Sequence, residues 1–135
     1  MENMQLKKAG LKVTHPRVKI LHILEHCEKR HISAEEVYKL LLAADEDVGL
    51  ATVYRVLTQF EGAGIVTRHH FEGGHSVFEL ESGEHHDHLV CVSCGKVEEF
   101  QDEIIEERQI ILAKDKGFTL TDHSLYLYGK CPDCQ

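Results

Sequence analysis

Two cysteine pairs of identical spacing most strongly constrain how this 135-residue chain can fold. The pairs are Cys91-x-x-Cys94 and Cys131-x-x-Cys134. Two intervening residues let both thiolates of a pair reach one ion, and two such pairs complete a tetrahedral site for structural zinc. A redox dithiol and unrelated cysteines are the alternatives. Because the 53 residues from Gly83 onward can bury only a small core, we expect the zinc to stabilise this part of the chain.

The formal net charge of −8 would by itself argue against nucleic-acid binding. The charge is unevenly distributed, however. Residues up to Leu80 carry ten basic and eleven acidic side chains, whereas those from Glu81 onward carry five basic and twelve acidic. The turn-like segment Glu81-Ser82-Gly83-Glu84 marks a joint. We therefore predict two domains, residues 1–82, which could face DNA, and residues 83–135, which are acidic and rich in metal ligands.

The first domain shows three helix signals followed by a hairpin pattern. Thr14 is a candidate N-cap for the first helix, and Ser33-x-x-Glu36 is a capping box for the second. The third helix ends at Gly62-Ala63-Gly64. Apolar segments at 65–70 and 76–80 flank a glycine-rich turn, which is typical of a β-hairpin. This order predicts a winged helix, and hence an α+β protein with a small α/β domain after it.

The third predicted helix has the composition of a DNA-reading helix. Its apolar stripe ends in Phe60, and the opposite face presents Thr52, Tyr54 and Arg55. An arginine among small or hydrogen-bonding side chains suits the major groove. Lys12 and Arg68 are candidates for phosphate or minor-groove contacts. A solvated helix face is the alternative.

The segment His85-His86-Asp87-His88 predicts two metal sites. In an extended chain, side chains alternate, so His85 and Asp87 point one way while His86 and His88 point the other. Spacing does not decide which partners join each site, and a solvated histidine-rich loop is the alternative. Nitrogen and oxygen ligands suit iron, manganese, zinc or nickel. The candidate partners are Glu79, Glu99, Glu106, His123 and His31.

Three further features bear on assembly and location. A helix from Asp102 to about Lys116 carries an apolar stripe, which predicts either a dimer interface or an intramolecular core. Cys27 lies on an apolar helix stripe, so we expect it in the core. The N-terminal residues form no apolar signal segment, so we expect a cytoplasmic protein.

Five segments closely resemble the ferric uptake regulator (Fur) family, and in particular its iron-sensing branch. The resemblance spans almost the whole chain. The segments are KKAGLKVT at 7–14, GLATVYRVL at 49–57, AGIVTR at 63–68, HHDHLVC at 85–91 and HSLYLYG at 123–129.

The resemblance implies a repressor that depends on Fe2+, which Mn2+, Co2+ or Zn2+ can replace in vitro, and that also carries structural Zn2+. It implies a homo-oligomer, usually a dimer with a tetramer as the alternative, that binds palindromic double-stranded operator DNA and controls iron-uptake genes. We expect no enzymatic activity, no membrane association and no small organic ligand.

The resemblance also divides the candidate ligands among three sites. The structural zinc falls on the four paired cysteines. The sensing site falls on His31, Glu79, His86, His88 and Glu99. The second site falls on His85, Asp87, Glu106 and His123. DNA contacts carry over to Lys12, Tyr54 and Arg55.

Three alternatives to an iron-responsive regulator remain within this superfamily. They are regulators that respond to peroxide, to zinc or to manganese. The peroxide-sensing branch tends to have aspartate where this chain has Glu79 and Glu99, and the zinc-sensing branch often adds a cysteine that is absent here. A metal buffer or a metalloenzyme is a remote alternative. Metal-dependent retardation of operator DNA would separate a regulator from both.

Overall fold

The computed structural model describes residues 2–72, 74–82 and 85–135 and divides the chain into two compact units, Met1–Gly83 and Glu84–Gln135. Below these are called the N-terminal and C-terminal domains. The helices are α1 (Glu2–Lys8), α2 (His15–His26), α3 (Ala34–Ala43), α4 (Leu50–Gly62) and α5 (Glu103–Asp115). The strands are β1 (Val66–Phe71), β2 (His75–Leu80), β3 (Asp87–Cys91), β4 (Val97–Phe100) and β5 (Tyr126–Gly129), and a 3₁₀ helix spans Pro132–Cys134. In the described ranges no helix has the length and apolarity that a bilayer crossing requires.

The three predicted N-terminal helices are confirmed as α2, α3 and α4. The Thr14 side chain accepts a hydrogen bond from the Arg17 backbone N–H and so caps α2. At α3, the backbone N–H of Glu36 donates to Ser33 Oγ at 3.2 Å, and the Ser33 N–H donates to Glu36 Oε1 at 3.1 Å, so both halves of the capping box form. Gly64, with φ of 77°, follows α4 and lets the chain turn into β1.

Helix α1, which was not predicted from the sequence, precedes the three predicted helices. It has only seven residues, too few for a clear apolar repeat. Leu6 is its one buried side chain among the described residues, and it is completely buried in the N-terminal core. Tertiary packing of this leucine, rather than local propensity, therefore holds α1 in place.

The predicted hairpin is also confirmed. β1 and β2 pair antiparallel with Val66 opposite Leu80, and the turn residue Gly73 lies outside the described residues. A third extended segment joins them, because Ile32 and Phe78 exchange backbone hydrogen bonds of 3.0 and 2.8 Å. Helices α2 to α4 followed by this hairpin form the predicted winged helix.

One apolar core holds the N-terminal domain together. Its four helices and both strands of the hairpin contribute buried side chains, and the partly buried Cys27 packs against the cluster. The completely buried members are Leu6, Ile20, Leu21, Val37, Val53, Leu57 and Phe60.

The C-terminal domain has much less core. Its sheet has the order β4-β3-β5, with β3 antiparallel to β4 and parallel to β5. The predicted last helix is confirmed as α5, capped by the Asp102 carboxylate, and it buries none of its side chains in this domain. Val90 and Cys91 are the buried apolar residues among the domain's described residues.

Candidate metal centres and nucleic-acid interface

The four paired cysteines converge on one point of the C-terminal domain. β3 ends at Cys91, and the chain turns back through Gly95, whose φ is 80° and whose N–H donates to Cys91 O at 3.0 Å. Cys131 and Cys134 flank the 3₁₀ helix after β5. All four Sγ atoms lie within 4.8 Å of one another. Because sulfurs about 2.3 Å from a tetrahedral zinc lie roughly 3.8 Å apart, the cluster matches a zinc site in composition and scale.

The electrostatics of this cluster favour a bound cation. Backbone N–H groups of Cys131, at 3.4 Å, and Cys94, at 3.5 Å, donate to Cys91 Sγ and lower the pKa of that thiol to about 5. Hydrogen bonding with Cys131, and then with Cys91, raises the pKa of Cys134 to about 12. Without an ion, the Cys91 thiolate therefore forms readily, whereas the neighbouring Cys134 thiol stays protonated. A bound divalent cation would offset the repulsion between thiolates and lower the pKa of Cys134.

A second cluster lies at the opposite end of β3. His85 Nε2 lies 3.2 Å from Asp87 Oδ1 and 2.9 Å from His123 Nε2. His123 Nε2 lies 3.4 Å from the same Asp87 oxygen and 3.7 Å from Glu106 Oε1. Asp87 is fully buried, and within the described part of the chain its Oδ2 has no hydrogen-bond partner. A buried carboxylate facing two imidazole nitrogens is a suitable cation site, and these four clustered residues are the ones predicted for the second site.

The five residues predicted for the sensing site fall into a pair and a trio, one in each domain. In the N-terminal domain, His31 Nε2 lies 3.2 Å from Glu79 Oε2. In the C-terminal domain, His86 Nε2 lies 3.3 Å from Glu99 Oε2, and His88 stands opposite Glu99 in the β3–β4 register. Glu99 thus contacts His86 and lies across the strand pair from His88, whereas His85 and Asp87 belong to the second cluster. This is the division that strand alternation predicts.

His69 was not among the residues predicted from the sequence. Its Nε2 lies 2.6 Å from Glu79 Oε1, and the residue is 7% exposed. The hairpin register contains the signal that would have revealed it. Thr67 pairs with Glu79, so His69, two residues further along β1, lies on the same face of the hairpin.

The candidate reading helix α4 has one buried face and one exposed face. Arg55 is exposed, and Tyr54 is 41% exposed and donates a hydrogen bond through its hydroxyl to Glu35 on α3. Thr52 is half-buried, and Lys12 is exposed in the segment before α2. Side chains of the predicted contact set therefore reach solvent on this domain.

Arg68 differs from the other predicted contacts. Its Nη2 donates to Thr58 Oγ1 at 2.8 Å, its Nε lies 3.5 Å from Glu61, and its guanidinium stacks 4.8 Å from the centre of the Phe78 ring. The structure thus places the guanidinium between the hairpin and α4. Its contacts there stabilise the wing against the helix.

Arg17 was not predicted to matter, yet it joins two candidate DNA-contact segments. Its Nε and Nη2 donate to Gln59 Oε1 on α4 at 3.2 and 3.1 Å, and its Nη1 donates to the Lys12 carbonyl at 2.8 Å. The guanidinium fork therefore fixes the Lys12 segment relative to α4.

A winged helix followed by a domain rich in metal ligands defines the class of metal-responsive transcription regulators. The family model described as the ferric uptake regulator family matches residues 8–128. The ferric uptake regulation protein of Legionella pneumophila is 68% identical over 134 residues, which cover 99% of this chain and 98% of that protein.

Solved structures of ferric uptake regulators are also similar to this chain in sequence and in fold. The crystal structure of the Vibrio cholerae ferric uptake regulator has a TM-score of 0.91 and 63% identity, covering 97% of this chain and 100% of that one. The Pseudomonas aeruginosa ferric uptake regulator with manganese has a TM-score of 0.79 and 61% identity, covering 98% of both chains. The chain belongs to the ferric uptake regulator family. It is a metal-responsive transcription regulator, as the family resemblance implied, and its relatives are regulators rather than enzymes.

Proposed function

We propose that the chain is an iron(II)-dependent repressor that binds palindromic operator DNA as a homodimer in the cytoplasm and controls iron-uptake genes. One observation carries the proposal. The same N-terminal domain presents the exposed Arg55 face of α4 and holds a sheltered histidine–carboxylate pair, His31 and Glu79. The residues proposed for reading DNA and two of those proposed for sensing metal thus belong to one compact unit. The proposal gains support from relatives that are named ferric uptake regulators.

We propose that one regulatory ion is held by His31 and Glu79 together with His86, His88 and Glu99. The ligand set of three imidazoles and two carboxylates suits Fe2+ and accepts Mn2+, Co2+ or Zn2+ in vitro. When bound, the ion supplies positive charge and fixed coordination geometry. Because the proposed ligands come from two domains, binding one ion would restrict the angle between those domains. In a two-fold dimer that angle sets the spacing of the two α4 helices on DNA.

The structural zinc is proposed for Cys91, Cys94, Cys131 and Cys134, and a further ion for His85, Asp87, Glu106 and His123. The buried Oδ2 of Asp87, which has no hydrogen-bond partner among the described residues, supports the second assignment. The DNA contacts are proposed for Lys12, Thr52, Tyr54, Arg55 and Arg68, and the bonds of Arg68 to α4 also stabilise the wing.

Removing His86 tests the metal dependence of DNA binding. In the wild type, Fe(II) or Mn(II) is expected to raise operator affinity 5–150-fold, which corresponds to a coupling free energy of about 1–3 kcal/mol. His86→Ala should lose this rise, because it removes an imidazole from the proposed ligand set. The measurement is anaerobic fluorescence anisotropy in metal buffers, with Fe(II), Mn(II) and Zn(II) compared. The probe is a duplex selected from a random-sequence pool in the presence of Mn(II).

His70→Ala is the matched control, since His70 is an exposed histidine of β1. It should keep the full metal response. If the affinity of the His86→Ala protein still rose with metal as in the wild type, the proposed ligand set would be wrong. If the wild type showed no rise with any of the three ions, the regulator proposal itself would fail.

Arg17 provides a separate test of the reading surface. Arg17→Gln should weaken operator binding by about tenfold, because losing a hydrogen-bonded fork costs on the order of 1–2 kcal/mol. Lys19→Gln is the control, since Lys19 lies on the same helix, pairs with Glu46 and carries the same charge. Equal losses in the two variants would mean that charge, rather than the position of Lys12 relative to α4, accounts for the effect. Anisotropy titrations at two salt concentrations make the comparison.

A further inference from the structure

We propose that His69 is a further direct ligand of the ion assigned above to His31 and Glu79, so that the N-terminal domain alone contributes three ligands to it. This inference deepens the metal dependence proposed above and rests on it. It adds a residue outside the predicted five-residue set, and it assigns three ligands to one domain.

Glu79 is the centre of the arrangement. Its Oε2 lies 3.2 Å from His31 Nε2, and its Oε1 lies 2.6 Å from His69 Nε2. The ligand atoms of all three residues lie within 4.8 Å of one another, and the two imidazole centroids are 5.9 Å apart. Since metal–nitrogen and metal–oxygen bonds are about 2.0–2.2 Å long, small side-chain movements bring the three atoms around one ion.

The backbone holds these three side chains in place. His31 precedes Ile32, which exchanges two backbone hydrogen bonds with Phe78, the neighbour of Glu79. His69 lies on the adjacent strand, on the face of the hairpin that Glu79 shares. Each of the three therefore sits on or next to a paired segment, which is the support that a precise metal site needs.

The site is also sheltered from water. His31 and His69 are each 7% exposed, and the Glu79 side chain is 12% exposed. A carboxylate that is this well buried favours a nearby cation, because its charge is poorly solvated. Two imidazoles and one carboxylate form a set that iron(II), cobalt(II) and zinc accept, and three protein ligands leave further coordination positions open.

One charge opposes the ion. Arg30 Nε lies 3.5 Å from Glu79 Oε2, and the Arg30 side chain is 48% exposed. Because the guanidinium is half in water, it can leave at small cost when an ion arrives. Arg30→Gln should therefore tighten metal binding a few-fold, the opposite direction to removal of a ligand.

Direct ligation can be measured on the intact protein without DNA. The probe is ¹¹³Cd(II) added to the full zinc-containing chain labelled with ¹⁵N-histidine. We expect one-bond ¹¹³Cd–¹⁵N couplings at the Nε2 atoms of both His31 and His69. These couplings should persist in a His86→Ala/Glu99→Ala double variant, because the ligands belong to one domain. Absence of a coupling at His69, or its loss in the double variant, would overturn the proposal.

Substitution by glutamine separates a ligand from a positioning residue. In His69→Gln the side-chain amide still donates a hydrogen bond to Glu79, but it is a poor metal ligand. We expect Co(II) to bind at least tenfold more weakly to the Glu79 site, with little change in melting temperature. His70→Gln is the control. Wild-type affinity in His69→Gln would show that His69 only positions Glu79. If the variant failed to fold, the wild-type coupling spectrum would still decide.

Discussion

Substituting Cys91 by serine is expected to release the zinc and to unfold the C-terminal domain while the N-terminal domain stays folded. The C-terminal domain buries only Val90 and Cys91 among its described apolar residues, and α5 buries nothing in it. A core of this size does not offset the conformational entropy of ordering the chain. Structural zinc contributes about 10–16 kcal/mol in small zinc-binding peptides, so we expect its loss to leave this domain unfolded.

The measurement combines zinc analysis with thermal melting followed by circular dichroism. Wild-type protein should contain one structural zinc, and Cys91→Ser should lack it and lose part of its cooperative signal. Cys27→Ser is the control, because Cys27 lies beside the N-terminal core, where its Sγ donates to the Lys29 carbonyl at 2.9 Å. A Cys91→Ser protein that kept its zinc and its melting curve would show that the cysteine cluster is not a structural site.

Replacing Ile111 with glutamate is expected to convert the proposed dimer to monomer. Ile111 is 45% exposed in the single chain, and the neighbouring residues Ile104, Ile110 and Leu112 are 72%, 56% and 56% exposed. Of the two interpretations of this helix, an intramolecular core is disfavoured because α5 buries none of its side chains. In the monomer the new carboxylate stays in water and costs little. In an interface it would be desolvated without a partner, at a cost on the order of 3–5 kcal/mol.

Sedimentation equilibrium measures this effect as a rise of more than 100-fold in the dimer dissociation constant. Gln101→Glu adds the same charge at an exposed position before α5 and should leave the association unchanged. If Ile111→Glu remained dimeric at wild-type concentrations, α5 would lie outside the interface. A folded monomer should also lose tight binding to a palindromic duplex, since two linked reading helices are needed.

The elements with strong local signals could be predicted from the sequence. The capping box at Ser33, the glycine stop after α4 and the glycine-rich hairpin pattern each depend on residues within a few positions of one another. The paired cysteines were equally clear, because their spacing alone brings two thiols to one ion. Alternation along one strand was enough to separate His85 and Asp87 from His86 and His88.

The features that were missed depend on partners distant in sequence. α1 is held by the burial of Leu6, which no local periodicity reveals. His69 becomes a neighbour of Glu79 only when the hairpin register is known. Arg68 was a candidate for phosphate or minor-groove contact and Arg17 was not singled out, yet both guanidinium groups donate hydrogen bonds to side chains of α4. The sequence thus shows where a basic side chain occurs along the chain, but it does not show which group that side chain contacts.

The pairing of β3 with β5 has a consequence for how the C-terminal domain assembles. These strands are parallel and distant in sequence, with His88 opposite Tyr126, so their association must close a long loop. Contacts of this kind slow folding. The cysteine cluster lies at one end of the strand pair, and the cluster that joins Asp87 to His123 lies at the other. Ions bound at both ends would hold the loop closed, so metal supply during synthesis would govern how quickly the domain forms as well as how stable it is.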